Sequence, residues 1–522
     1  MIMANSSAKI LLENTKWVYI AKIISQLISL AAIILVIRKL TVDIFGTYSL
    51  ITQSFVVFQI IALGAIDQVF LRYIPELIAN KEYRKFILFV TRGLGLTLIS
   101  FAIFFSILYV FKESFAIFFN ISDFHYYIFP FFLYSFTFAI KSLVTVTLHS
   151  LLLHKKYAYI SILNASVRLV LYLIYHESLT VSLLLYVEVF TASLFILQGT
   201  FIYFKHIKTI NFNQMSIGKT PVTSKRIIRY GLFSAGNVLG QGIVGRTSDY
   251  FIVAALSNPL QVGLYAFAVR VYSMIYQILP EKQFYSVLRP LFFHKFTQRY
   301  DVPEFQKILA FMIKGIMPIY LLPLIFFFIF GKNLINLVFD PRYIDAYWII
   351  IILFIHKPLV PFYNTIAFTL QLKERVDIEM YSKIFIIFSI AAGIYGMKTY
   401  GLIGIALAST LGLFLQNIFV WVYMRKYPEI RFWFRDYVNY IIIMIFLLPF
   451  MFLYYIEFGM VQFILWSAGF IIYFGVIFLI FHPFSSFDII QLQKMTDGIP
   501  ALSKTVDLLK KIARKRMAII KI

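Results

Sequence analysis

The chain has 522 residues, 61% hydrophobic and 19% aromatic, with a formal charge of +24 and a mean hydropathy of +0.83. Soluble domains run at about 45–50% apolar, so this composition excludes an ordinary soluble protein and fits a chain immersed in lipid. There is no cysteine, which excludes disulfides and thiolate metal sites.

Apolar runs of about 20 residues, the length that crosses about 30 Å of hydrocarbon as a helix, recur from Trp17 almost to His482. In chain order they predict fourteen spans: 17–37, 46–70, 86–110, 126–150, 158–176, 179–204, 230–256, 262–281, 307–330, 346–371, 380–397, 401–424, 437–456 and 459–481. The first run is followed by Arg38, Lys39 and Leu40, not by a small-residue cleavage site, so it reads as a retained helix. The longest polar stretch, Lys205 to Arg229, separates the sixth and seventh spans. The predicted organisation is an N-terminal lobe (1–204), a linker (205–229), a C-terminal lobe (230–424), two extra helices (425–481) and a basic tail (482–522). Prolines 130, 280, 318, 323, 358 and 361 lie within or beside spans and are expected to bend them.

Of the 48 Lys and Arg residues, 34 lie at the two termini, in the even-numbered connections, or, as Lys307 and Lys383, within the first four residues of the span that follows one. Six lie in the odd-numbered ones: Arg38, Lys39, Lys112, Lys332, Arg342 and Lys398. This bias predicts that both termini are cytoplasmic, which an even number of spans satisfies. The segment from Ser503 to Ile522 carries Lys510, Lys511, Arg514, Lys515 and Arg516 beside an apolar stripe. It reads either as an amphipathic helix on the anionic leaflet or as a solvated basic tail.

The remaining eight cations, Lys22, Arg92, Lys141, Arg168, Arg246, Arg270, Lys314 and Lys357, lie deeper in the apolar runs. Each would cost about 2.5–3.5 kcal/mol near a helix centre against lipid, on the order of 20–28 kcal/mol together. Lys22 and Arg92 are within about 10 Å of a span end and can snorkel. For Arg168, Arg246, Lys314 and Lys357 a water-filled interior is the expected surrounding. The embedded acids are Asp67, Glu188 and Asp249. Each reads either as a site for coupling H⁺ or Na⁺ or as a helix-bundle hydrogen bond. The resulting positive interior suits an anion such as phosphate, which an arginine fork holds through two hydrogen bonds. The eight cations are therefore the substrate-binding candidates. Asp249 stands three residues after Arg246 on one helical face, where the two can pair. His356 beside Lys357 is a single histidine and makes no metal site by itself.

Gly240-x-Gly242-x-x-Gly245 has the spelling of a dinucleotide loop. Such a loop needs a preceding strand and an acid about 20 residues on. Here the glycines fall in an apolar helix and Tyr265 occupies that later position, so no cofactor is expected. Gly236 and Gly240 form a small-xxx-small face suited to helix packing. The two halves also repeat. At an offset of 217, Gly46 overlies Gly263, Tyr48 overlies Tyr265, and Leu71-Arg72 overlies Leu288-Arg289; at 222, Arg92-Gly93-Leu94 meets Lys314-Gly315-Ile316.

With "FGTYSL", "RTSDYFIVAALSNPLQVGLYAFAVRV", "FDPRYIDAYWIIIILFI" and "KTYGLIGIALAST" in this order, the chain resembles the polysaccharide or O-antigen flippases of the multidrug/oligosaccharidyl-lipid/polysaccharide (MOP) exporter superfamily. The resemblance implies an all-α membrane protein: a V-shaped pair of six-helix bundles around a central cavity, with two further helices, working by alternating access in the bacterial inner membrane. It implies a lipid-linked oligosaccharide substrate, usually on undecaprenyl pyrophosphate, moved outward for O-antigen, lipopolysaccharide or capsule synthesis. A polysaccharide polymerase and other assembly proteins are the implied partners beside membrane lipids; nucleic acid is not. Arg246 and Asp249 are carried over as lumen candidates, and Gly46, Tyr48, Gly263 and Tyr265 as turn and packing residues. A lipid II flippase and a cation-coupled multidrug exporter of the same superfamily are the alternatives. An enzyme, such as a glycan polymerase or ligase, is disfavoured because the longest outer connections, 111–125 and 331–345, have only about 15 residues and no catalytic constellation is evident.

Overall fold

A computed structural model describes residues 2–59, 64–118, 121, 124–151, 153–209, 224–242, 246–279, 301–372, 376–427, 437–496, 507 and 509–511. Among these residues every regular element is helical, as hydrocarbon demands, since a helix satisfies its backbone polar groups within one segment. Ten helical runs among them are long and apolar enough to cross a membrane. The predicted second and seventh spans each include undescribed residues, 60–63 and 243–245, and the eighth corresponds to the helix Pro259–Ile278. The eleventh and twelfth share one run, Met380–Met424. Gly401 divides that run: its φ of +60° is costly for any residue with a Cβ. Beyond this turn Gly396 and Gly404 bring the two arms together, and a Cβ on Gly396 would stand 2.7 Å from the Gly404 carbonyl oxygen.

The chain forms two compact units, residues 1–278 with 393–405, and residues 279–392 with 406–522. The first contains α1 (Ile2–Lys39), α2 (Val42–Phe58), α3 (Gly64–Ala79), α4 (Tyr83–Val110), α5 (Lys112–Phe118), α6 (Phe124–Ser150), α7 (His154–Ile174), α8 (Val181–Lys208), α9 (Ser224–Gly242), α10 (Arg246–Leu256) and α11 (Pro259–Ile278). α1 packs along α7, α6 along α8, α2 along α11 and α3 along α9. Small residues set how closely they approach. A Cβ on Gly199 of α8 would meet Val144 of α6 at 2.5 Å. Local sequence fixes helix starts: Thr180 accepts a hydrogen bond from the Leu183 N–H at 3.2 Å, capping α8.

The α2–α11 crossing is reciprocal. A Cβ on Gly46 would collide with the Pro259 carbonyl and stand 2.7 Å from the Gly263 nitrogen, while one on Gly263 would collide with the Val42 carbonyl. Val42 and Pro259, like Gly46 and Gly263, are related by the offset of 217. Residue i touching j′ while j touches i′ is the contact pattern of two elements related by a twofold axis. The repeat read from a few identities is thus present in the packing of these two helices.

The second unit contains α12 (Val302–Val338), α13 (Tyr347–Ile355), α14 (Val360–Leu372), α15 (Val376–Ser382), most of α16 (Ile384–Met424), α17 (Val438–Leu447), α18 (Met460–Phe481) and α19 (Ser486–Thr496). Asp301 caps α12 by accepting from the Glu304 N–H at 3.1 Å, with Pro303 in the first turn. Its core is largely aromatic, with Phe330, Phe463, Phe470 and Phe474 buried together. Asn333 ties α12 to the approach to α18, donating to the Ile456 carbonyl at 2.9 Å and accepting from the Phe458 N–H at 3.0 Å. The tenth predicted span is broken mid-membrane, where Lys357–Leu359 forms a 3₁₀ turn between α13 and α14 with Pro358 inside it. Pro130, Pro318 and Pro323 lie inside helices, as does Pro75; Pro280 lies outside the described residues. The basic tail contributes α19, whereas most of Ser503 to Ile522 falls outside the described residues.

Candidate functional site

Three embedded charged side chains of the first unit, Lys141, Arg168 and Glu188, meet where α1, α6, α7 and α8 come together. Glu188 of α8 is only 6% exposed. It accepts from Arg168 Nη1 at 3.2 Å and from the Tyr172 hydroxyl at 3.0 Å. Arg168 and Tyr172 are four residues apart on α7 and so share one helical face. The other arm of the guanidinium donates to Ser29 Oγ of α1 at 2.7 Å. Its Nε is buried and has no hydrogen-bond partner among the described residues. Lys141 of α6 points its ammonium at the faces of Phe138 and Phe195, 4.6 and 5.3 Å from the ring centroids, and stands within electrostatic reach of Glu188. Arg270 of α11, itself exposed, acts with Arg168 on the Tyr48 and Tyr134 phenols.

Lys141 and Arg168 thus face a single carboxylate, Glu188, and Arg270 adds its charge at the neighbouring Tyr48 and Tyr134 phenols. One carboxylate offsets one of these charges. The surplus, with a guanidinium nitrogen left over, is suited to a small, highly charged anion.

Each of the other embedded acids accepts a hydrogen bond from a hydroxyl. Asp249 of α10 is buried and accepts from the Tyr265 hydroxyl of α11 at 2.6 Å. The expected partner, Arg246, has its side chain outside the described residues. Asp67 of α3 accepts from Ser142 Oγ at 3.2 Å, and Ser142 in turn accepts from Gln59 Nε2 at 3.2 Å.

In the second unit Lys314, 4% exposed, pairs with Asp488, 2% exposed, at 3.4 Å. Asp488 lies in the first turn of α19, where it also accepts from the Ser485 N–H and hydroxyl at 2.7 and 2.8 Å. Lys314 is therefore bound up in anchoring a tail helix. Lys357 is buried in the break between α13 and α14, with Nζ 6.0 Å from the centre of the Tyr320 ring. A broken helix at membrane depth is tolerated where it is buried in protein or lines a water-filled cavity. Lys22 is half-buried and Arg92 exposed on the outer surface of α4.

Of the eleven candidates, the structure brings together Lys141, Arg168, Glu188 and, more distantly, Arg270. Lys314 and Lys357 belong to the second unit. Tyr172, Ser29, Tyr265 and Asp488 were missed in the sequence. Tyr172 carried a readable signal, its spacing of four from Arg168; Asp488, 174 residues from Lys314, carried none.

Gly240 and Gly242 lie in the last turn of helix α9, as the apolar-helix reading of this stretch expects. Among the described residues no group of three metal-ligating side chains occurs.

This helical arrangement recurs in solved structures. Lipid II flippase MurJ, in an inward closed conformation, aligns over 90% of this chain and 98% of its own with a TM-score of 0.62 at 13% identity. The fold is that of MurJ and the MATE transporters. An inward-facing multidrug resistance MATE-family transporter of the MOP superfamily aligns over 77% of this chain and 94% of its own, with a TM-score of 0.63 at 14% identity. A MATE protein in a bent conformation aligns over 79% and 93%, with a TM-score of 0.52 at 15% identity. No protein-family profile matches the chain, and no curated protein matches it. At these identities the MurJ/MATE likeness is one of fold, reached through helix order and packing.

Proposed function

We propose that this chain is a flippase that moves a lipid-linked oligosaccharide, a repeat unit on undecaprenyl pyrophosphate, from the cytoplasmic to the outer leaflet of the bacterial inner membrane for O-antigen or capsule synthesis. The observation that carries this reading is the surplus positive charge around Glu188. A pyrophosphate is the part of such a substrate that hydrocarbon rejects most strongly, and Arg168, Lys141 and Arg270 supply the charge to receive it. The likeness in fold to a lipid II flippase, over 90% of this chain, fits a flippase reading.

In this mechanism two six-helix lobes, residues 1–204 and 230–424, rock about the substrate with both termini in the cytoplasm. The polyprenyl tail stays in lipid while the glycan passes between aromatic faces. When the diphosphate takes the Arg168 fork, Glu188 loses its ion pair and becomes free to bind H⁺ or Na⁺. Asp67 and Asp249, already bonded to neutral hydroxyls, are the other coupling sites. Neighbouring assembly proteins, a polymerase among them, consume the product outside.

The test is reconstitution of the full chain in vesicles holding a fluorescent undecaprenyl-pyrophosphate oligosaccharide, read by quencher access to each leaflet. Arg168→Glu and Lys141→Glu should each abolish translocation. Wild-type flipping by both variants refutes the reading. Glu188-dependent extrusion of a cationic dye, with no glycan movement, would assign the chain to drug export instead.

A further inference from the structure

The lipid-facing side of the α1–α7 pair carries a second feature, separate from the charged centre. Ile20, Ala21 and Ile24 of α1 face Ala158, Tyr159 and Ile162 of α7 across a groove of about 240 Å³. The two alanines leave the space between the helices, and the walls are otherwise aliphatic. Tyr159 is 72% exposed and Ile20 47%, so the groove opens outward. Among the described residues its charged lining residue is Lys155, at the first turn of α7; Lys156 follows it, and both are exposed. From Lys155 to Ile162 the helix descends about 10 Å. A cation at the water boundary above a narrow apolar channel of this depth matches a phosphate headgroup above its acyl chain.

We propose that this groove binds one anionic glycerophospholipid of the surrounding bilayer, its phosphate at Lys155 and an acyl chain between α1 and α7. Among the described residues the groove offers the Lys155 cation at its mouth and the Tyr159 hydroxyl above an apolar channel, a set that matches a phospholipid headgroup over its acyl chain. Its position gives the lipid a consequence. Further along the same seam Ser25 Oγ donates to the Ser161 carbonyl at 3.4 Å, and beyond it Ser29 receives Arg168. A chain wedged between Ala21 and Ala158 sets the spacing of the two helices that hold the Arg168 guanidinium. The inference concerns lipid binding and holds whichever glycan the protein carries.

The experiment is native mass spectrometry of the full chain released from micelles, titrated with phosphatidylglycerol, phosphatidylcholine of the same acyl chains, or undecaprenyl phosphate. The expected result is one phosphatidylglycerol retained per chain in preference to phosphatidylcholine. Lys155→Gln should weaken retention about fivefold, the effect of one lysine near a membrane surface. Ala21→Leu and Ala158→Leu, made separately, fill the groove from opposite walls and should each abolish retention with the helical circular dichroism unchanged; either one that folds suffices. Equal retention of phosphatidylcholine, persistence of the adduct in a folded groove-filling variant, or displacement of phosphatidylglycerol by equimolar undecaprenyl phosphate overturns the proposal. Translocation is not read in this assay, so a failure here is distinct from a failure of the flippase reading.

Discussion

Neutralising Glu188 with Glu188→Gln keeps the shape of the buried centre and removes its anion. At 3.2 Å the Arg168–Glu188 attraction is about 5 kcal/mol for an effective dielectric of about 20, and desolvation of both groups cancels much of it. Removing one partner costs more than the net value of the pair, because Arg168 and Lys141 then remain together with no carboxylate between them. A loss of about 3–5 kcal/mol is expected. Glu188→Gln combined with Arg168→Met should recover most of that loss, since no uncompensated guanidinium remains. The assay is thermal unfolding of purified protein in one detergent, repeated with pyrophosphate. An anion that binds the vacated guanidinium stabilises the single variant by about 2.7 kcal/mol at 100 times its dissociation constant. Wild type, whose guanidinium is already engaged, should gain less. If Glu188→Gln melts with wild type, the charges are not coupled; if pyrophosphate stabilises neither protein, the centre is not an anion site.

Lys314→Met or Asp488→Asn should each destabilise the second unit by about 3–5 kcal/mol, whereas Lys314→Met with Asp488→Leu should recover most of it, as read by thermal unfolding. Gly46→Leu or Gly263→Leu forces α2 and α11 apart at their backbone contact and should each lower stability by about 1–3 kcal/mol or more, read by thermal unfolding. Gly401→Ala places a Cβ at a φ of +60° and should cost about 1–2 kcal/mol of stability, more than any other alanine change in that turn. The cysteine-free chain is a ready background for labelling. In vesicles a polar thiol reagent should modify Arg270→Cys and leave Arg92→Cys unmodified, since the first is read as facing water and the second as facing lipid.

The sequence by itself determined the solvent, the helical class and the places where charge lies against the grain. Hydrocarbon offers no partner to a backbone amide or to an ion, so a run of about 20 apolar residues has one available structure and an embedded cation demands an explanation. The repeat was legible too, because Gly46 and Gly263 are held by a backbone approach that admits no larger residue. Partnership was not legible. Which cation meets which acid depends on how helices distant in sequence are rotated against each other, and hydropathy records depth without recording rotation. Helix packing alone brought Arg168 to Glu188 across α7 and α8, assigned Lys314 to Asp488 in the tail, and gave Asp249 the Tyr265 hydroxyl. The same packing gave apparently equivalent cations different surroundings: Lys141 and Arg168 a charged centre, Lys314 a structural anchor, Lys357 a buried place at a helix break and Arg92 an exposed surface.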